Sequence, residues 1–135
     1  MNKDASIRAG VLISEQDSDY IRDVMSGIYE SCTQNNIDVI VFPAREKNYP
    51  FGNCEYQHYF LRQLITKESC DFLIVASGTQ CHHIDQEDFF SSLYQFKSIP
   101  VISIGIPIPS IPSIVVTNEH ALQNLLEHLY THHNR

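Results

Sequence analysis

Two short segments carry groups that can hold a small molecule. Asp17, Ser18, Asp19 and Tyr20 place carboxylates, a hydroxyl and an aromatic ring in consecutive positions. Ser77, Gly78 and Thr79 place two hydroxyls and a run of backbone N–H groups directly after an apolar stretch. Carboxylates and hydroxyls hydrogen-bond polar ligands, and backbone N–H groups at the approach to a helix suit an anion or a hydroxyl. Both segments also have an ordinary structural reading. The first is then a capped helix start with a surface tyrosine, and the second a plain strand-to-helix turn. Neither has the spacing of a G-x-G-x-x-G fingerprint or a P-loop, so nucleotide binding by those devices is excluded.

Other chemistry-bearing residues are scattered. Cys81-His82-His83 is of metal-ligand type, as is His128 with His132 one helical turn later. Zinc needs three or four converging ligands, and two separate pairs do not supply them, so no metal is expected. Arg45 and Lys47 stand in a long loop where an acidic ligand could meet them, although loop charges are usually only solvated. Ser14 and Ser77 follow apolar runs but lack a G-x-S-x-G elbow. No catalytic residue is assigned, no cofactor is expected, and the chain is read as non-enzymatic. A phospho-acceptor domain would need an aspartate closing the third strand, where the chain reads Ala76-Ser77.

These groups must be positioned by a core, and 135 residues with 43% hydrophobic content suffice for a single domain spanning 1–135. The net charge is −7 with only 9 Lys+Arg, which suits neither a phosphate backbone nor an anionic membrane. The longest apolar runs are strand-sized, and the N-terminus has no apolar signal region. Cys32, Cys54, Cys70 and Cys81 show no CxxC spacing and read as reduced thiols. A cytoplasmic location is expected.

Residues 7–14 form a nearly continuous apolar run, as expected of a strand buried on both faces. A helix over 20–35, capped by Ser18 or Asp19, carries Ile21, Val24, Met25, Ile28, Tyr29 and Cys32 at helical spacing. Gly27 interrupts it at a cost of about 1 kcal/mol, which a close approach to the sheet would explain. Strand 37–42 precedes a long loop over 43–55. The next helix, over 56–67, should bury Tyr56, Tyr59, Phe60 and Leu64. Strand 71–77 leads to a helix capped by Asp85 that carries Phe89, Phe90, Leu93, Tyr94 and Phe96. Strands over 99–104 and 113–117 follow. Asn118 caps a last helix with the apolar stripe Ala121, Leu122, Leu125, Leu126 and Leu129.

Strands that alternate with helices imply an α/β three-layer sandwich: a five-stranded, mainly parallel, Rossmann-like sheet with helices on both faces. In the order 2-1-3-4-5 the chain reverses direction between strands one and three. A ligand crevice then opens at their C-terminal ends, beside Asp17, Ser18, Asp19, Tyr20, Ser77, Gly78 and Thr79.

Three collinear segments resemble the N-terminal subdomain of type I periplasmic-binding-protein-like domains of the LacI/GalR-like branch: IRAGVLISEQDSDYIRDVMSGIYESC, CDFLIVASGT, and IPVISIG with PSIVVTNEHALQNLLEHLYTHHNR. The loop REKNYPFGNCEYQ is similar to a subgroup in which this domain is a cytoplasmic sensor. There it is joined to diguanylate cyclase (GGDEF), histidine kinase or DNA-binding outputs. The resemblance implies one lobe of a two-lobed sensor, a small-molecule effector, a homodimer and an output domain outside this chain. It implies either an excerpt or a naturally truncated sensor, and the excerpt is favoured. With a net charge of −7 and no basic cluster, no direct contact with nucleic acid is expected. The chain departs from the family at several points. Thr117 stands where Asp usually precedes Asn118, and Ala121 where Gly is common. His133-Asn134-Arg135 replaces Gly-His-Arg, and Gly105-Ile106 replaces the Asp-Arg pair that holds sugar hydroxyls. The competing expectation is a degenerate lobe that acts as a homodimerisation or protein-interaction module without ligand.

Overall fold

Five strands pair side by side in the order β2-β1-β3-β4-β5, every pairing parallel. The structure is a computed structural model that describes residues 6–14, 18–45, 55–81 and 83–133. The elements are β1 (Ile7–Ile13), α1 (Asp19–Gln34), β2 (Ile37–Pro43), α2 (Glu55–Gln63), β3 (Phe72–Val75), α3 (Gln86–Leu93), β4 (Val101–Ile104), β5 (Ser113–Ile114) and α4 (Glu119–His133). Short 3-10 turns cover Ser77–Thr79 and Tyr94–Phe96. The expected α/β order holds, with an all-parallel sheet in place of a mainly parallel one.

β1 lies inside the sheet with β2 and β3 as neighbours, and this explains its continuous apolar sequence. Val11 and Ile13 face α1, where Ile21 and Met25 complete one core layer. On the other face Leu12, Phe42, Leu73 and Val75 meet Phe89, Leu93 and Phe96 from α3 and the turn after it. Gly10 lets this second layer close on β1, because a Cβ there would lie 2.8 Å from Cys70 Sγ. Burial pushes the Cys70 thiol up from its ordinary pKa, and the Cys32 thiol likewise. At the N-terminal edge the Arg8 N–H donates to the Asp71 carboxylate at 2.7 Å, tying β1 to the start of β3.

Several expectations give way. β5 pairs over two residues only, and Val115–Thr117, expected to extend it, are exposed. The side chains of Tyr56, Tyr59, Phe60 and Leu64 are about 60% exposed. α2 instead turns His58, Leu61 and Arg62 inward, with Ile65 behind them. That face has helical spacing too, but two of its members are polar, and their part-buried hydrogen bonds hold it inward. Every residue of α4 is exposed, so its leucine stripe does not rest on the sheet.

Gly27 has open space where a side chain would stand, so no close approach requires it. Gly27→Ala should therefore stabilise the protein by about 0.5–1 kcal/mol through a less flexible unfolded chain and better helix propensity. Urea unfolding would read this as a higher midpoint at unchanged slope.

Candidate functional site

The two segments singled out from the sequence meet at the C-terminal edge of the sheet, where the chain order reverses between β1 and β3. The Ala76 N–H donates to the Leu12 carbonyl at 3.0 Å, and the Ser14 N–H donates to Thr79 Oγ1 at 3.3 Å. These bonds hold the β1–α1 connection against the turn after β3. Ser18 begins α1: its Oγ accepts from the Ile21 N–H at 3.2 Å, and its carbonyl accepts from the Arg22 N–H at 3.0 Å. Asp19 is strongly exposed and pairs with Arg22 at 3.0 Å within the helix. Asp17 lies outside the described residues.

Tyr20 reaches over this edge with 47% of its surface exposed. Gly78 and Gly105 lie beneath its hydroxyl. A Cβ built on Gly105 would stand 3.3 Å from Tyr20 Oη and 3.0 Å from the Gly78 nitrogen. Gly105 has φ +102°, a left-handed conformation that L side chains rarely adopt. Backbone strain and close approach both require glycine here. Three positions thus converge on one spot: a half-exposed phenol and two bare backbone segments.

The hydroxyls of Ser77 and Thr79 point inward. Ser77 is fully buried, and its Oγ shares a 2.7 Å hydrogen bond with Ser103 Oγ from β4. Ser103 Oγ in turn donates to the Ile106 carbonyl at 2.6 Å. Thr79 Oγ1 donates to the Ala76 carbonyl at 2.8 Å. What this turn offers outward is the backbone about Gly78. Ser103 was missed in the sequence, although a lone serine inside the apolar run Val101–Ile104 is the kind of signal that finds it.

A second polar set was also missed. Gln80 is fully buried; its Nε2 donates to the Ala44 carbonyl at 3.0 Å and its Oε1 accepts from Arg62 Nη2. Arg62 also donates to the Arg45 carbonyl at 3.2 Å, and His58 Nδ1 accepts from the Arg45 N–H at 3.2 Å. This network fastens α2 and the end of β2 to the turn beside the site. Lys47 and His82 lie outside the described residues. On α4, His128 stacks near His132 at 4.8 Å between ring centroids, and among the described residues no three His, Cys, Asp or Glu side chains converge as metal ligands. An open depression of about 320 Å³ lies at the opposite edge, between Thr66–Glu68 and Gln95–Ser98. It shares Arg62 with this network but touches neither Tyr20 nor the turn after β3.

Among the described residues no helix is long and apolar enough to cross a membrane. No protein-family model and no curated protein matches the sequence. Among solved structures, the chain is similar to an ABC transporter periplasmic solute-binding protein from Actinobacillus succinogenes, determined with bound D-allose. The TM-score is 0.61 at 18% identity, over 93% of this chain and 46% of that one. The likeness establishes the fold: an α/β, Rossmann-like sheet of the kind found in periplasmic solute-binding proteins. The chain spans under half the length of that neighbour.

Proposed function

We propose that the chain is one lobe of a small-molecule-sensing regulatory domain. It corresponds to the N-terminal subdomain of a LacI/GalR-like module in a bacterial signalling protein. In this reading the domain is cytoplasmic and non-catalytic. A second lobe closes with it on a ligand, and the hinge motion passes to an output domain such as a diguanylate cyclase, a histidine kinase or a DNA-binding domain. The observation that carries the reading is the convergence of Tyr20, Gly78 and Gly105 at the reversal point of a 2-1-3-4-5 sheet. Open α/β sheets bind their ligands at that point.

The site's chemistry narrows the ligand class. Ser77, Thr79 and Ser103 spend their hydroxyls inside the fold, and Gly105-Ile106 offers backbone groups only. A flat or partly apolar effector that lies on Tyr20 and accepts from a backbone N–H suits this edge better than a hydroxyl-rich sugar.

A thermal-shift screen of the two-lobed protein against a metabolite library, with D-allose included, tests the proposal. A stabilising ligand should bind Tyr20→Ala about tenfold more weakly or worse, a loss of about 1.4 kcal/mol. The unfolding midpoint without ligand should barely move. A broad library that yields no ligand would count against sensing.

A second reading, a degenerate lobe that dimerises or binds a protein without ligand, is favoured by one observation. Tyr56, Tyr59 and Phe60 stand exposed together on α2, with Phe60 edge-on to both tyrosines. Of the aromatic residues on α3 and the turn after it, Phe89 and Phe96 are core residues, while Tyr94 is exposed.

A further inference from the structure

Three side chains grip two consecutive residues where β2 ends. Gln80 Nε2 donates to the Ala44 carbonyl at 3.0 Å. His58 Nδ1 accepts from the Arg45 N–H at 3.2 Å, and Arg62 Nη2 donates to the Arg45 carbonyl at 3.2 Å. His58 and Arg62 stand at i and i+4 on α2, so one face of that helix holds both backbone groups of Arg45. Arg62 also donates to Gln80 Oε1, which joins the two grips. Here the chain leaves the sheet for its connection to α2, and Gln80 follows directly on the turn that carries Gly78.

Of these three side chains, glutamine carries no charge and arginine keeps its own. Imidazole alone changes charge between about pH 5 and 8. The direction of its bond gives that change a consequence. Nδ1 is an acceptor here, which requires neutral imidazole with its proton on Nε2. Imidazolium has donors at both nitrogens and no acceptor. Protonation therefore takes the acceptor away from the Arg45 N–H and sets two donors against each other. It also creates a cation one helical turn from the Arg62 guanidinium, where like charges repel. Both effects act in the same sense.

The charged residue that meets His58 from the end of β2 is Arg45, and from α2 it is Arg62. The turn after β3 presents neutral Gln80 to this network, ahead of Cys81 and His83. The Glu55 side chain, three positions before His58, lies outside the described residues. We propose that His58 is a pH-sensitive latch. Neutral, it fastens the start of the β2–α2 connection to α2; protonated, it lets go. Release loosens the network that holds α2 against the turn beside the reversal edge. The latch stands or falls without any ligand at that edge, so its test is independent of the sensing proposal.

NMR of the ligand-free protein between about pH 8 and 5 provides the test. The ring nitrogens of His58 and the backbone amide of Arg45 are followed together. The Arg45 amide proton should move upfield with the same midpoint as the ring. Its protection against solvent exchange should fall about fivefold, as expected for the loss of one hydrogen bond. His58→Asn keeps an acceptor oxygen near the place of Nδ1 and does not titrate. In that variant the Arg45 amide should hold one position across the range. A wild-type Arg45 amide that ignores the titration of His58 overturns the proposal. So does a ring that keeps one protonation state throughout. An Arg45 amide that follows pH in His58→Asn as it does in the wild type overturns it in favour of another titrating group. If the variant does not fold, the wild-type titration decides alone.

Discussion

Gln80→Met should destabilise the protein by roughly 2–4 kcal/mol, although it barely changes the volume of the side chain. The glutamine is fully buried, donates to the Ala44 carbonyl and accepts from the Arg62 guanidinium. Methionine does neither. It leaves a carbonyl and part of a cation without their partners, at about 1–3 kcal/mol for each buried group and more for a charged one. The check is equilibrium urea unfolding of the single variants and the double variant. Arg62→Met removes the guanidinium that Gln80 satisfies, so the double variant should cost clearly less than the sum. Additive losses would mean that the two side chains act separately. The effect bears on function, because this network holds α2 against the turn that carries Gly78.

Gly10→Ala should cost roughly 1–3 kcal/mol. The added methyl would stand 2.8 Å from Cys70 Sγ, 3.1 Å from Phe42 and 3.2 Å from Leu73. No flexible surface group is among these neighbours; all three are core side chains of 5% exposure or less. β1 is held by strands on both sides and cannot easily shift to make room. Cys70→Ala removes the nearest atom, so the Gly10→Ala/Cys70→Ala pair should be more stable than Gly10→Ala alone. Without that recovery, Phe42 and Leu73 set the limit rather than the thiol.

The central strands were legible because strands one and three are nearly continuous apolar runs and helices alternate with them, whereas spacing alone does not fix the 2-1-3-4-5 order that the structure has. Two-sided burial leaves that mark on a sequence. The site was legible as a place rather than as a set of atoms. Residues 18–20 and 77–79 do meet at one edge, yet Ser77 and Thr79 turn their hydroxyls into the fold. Hydrogen-bond direction depends on tertiary partners such as Ser103, which lies 26 positions away from Ser77. The inward face of α2 was illegible for the same reason. His58 and Arg62 look like solvent residues until Arg45, Ala44 and Gln80 supply their partners. Gly27 misled because propensity alone marks it as unusual, and only the geometry reveals the open space beside it. The stripe of α4 was read correctly as amphipathic, but periodicity does not say what covers it.

A ligand of this lobe should sit at the reversal edge of the sheet, on Tyr20 and the backbone of Gly78 and Gly105. The most direct measurement is a backbone-amide NMR titration of the protein with the best ligand from the metabolite screen. Shift changes should concentrate at residues 18–20, 77–79 and 105 and be lost in Tyr20→Ala. Shift changes centred on the depression beside Thr66–Glu68 and Gln95–Ser98, with the reversal edge silent, would contradict it.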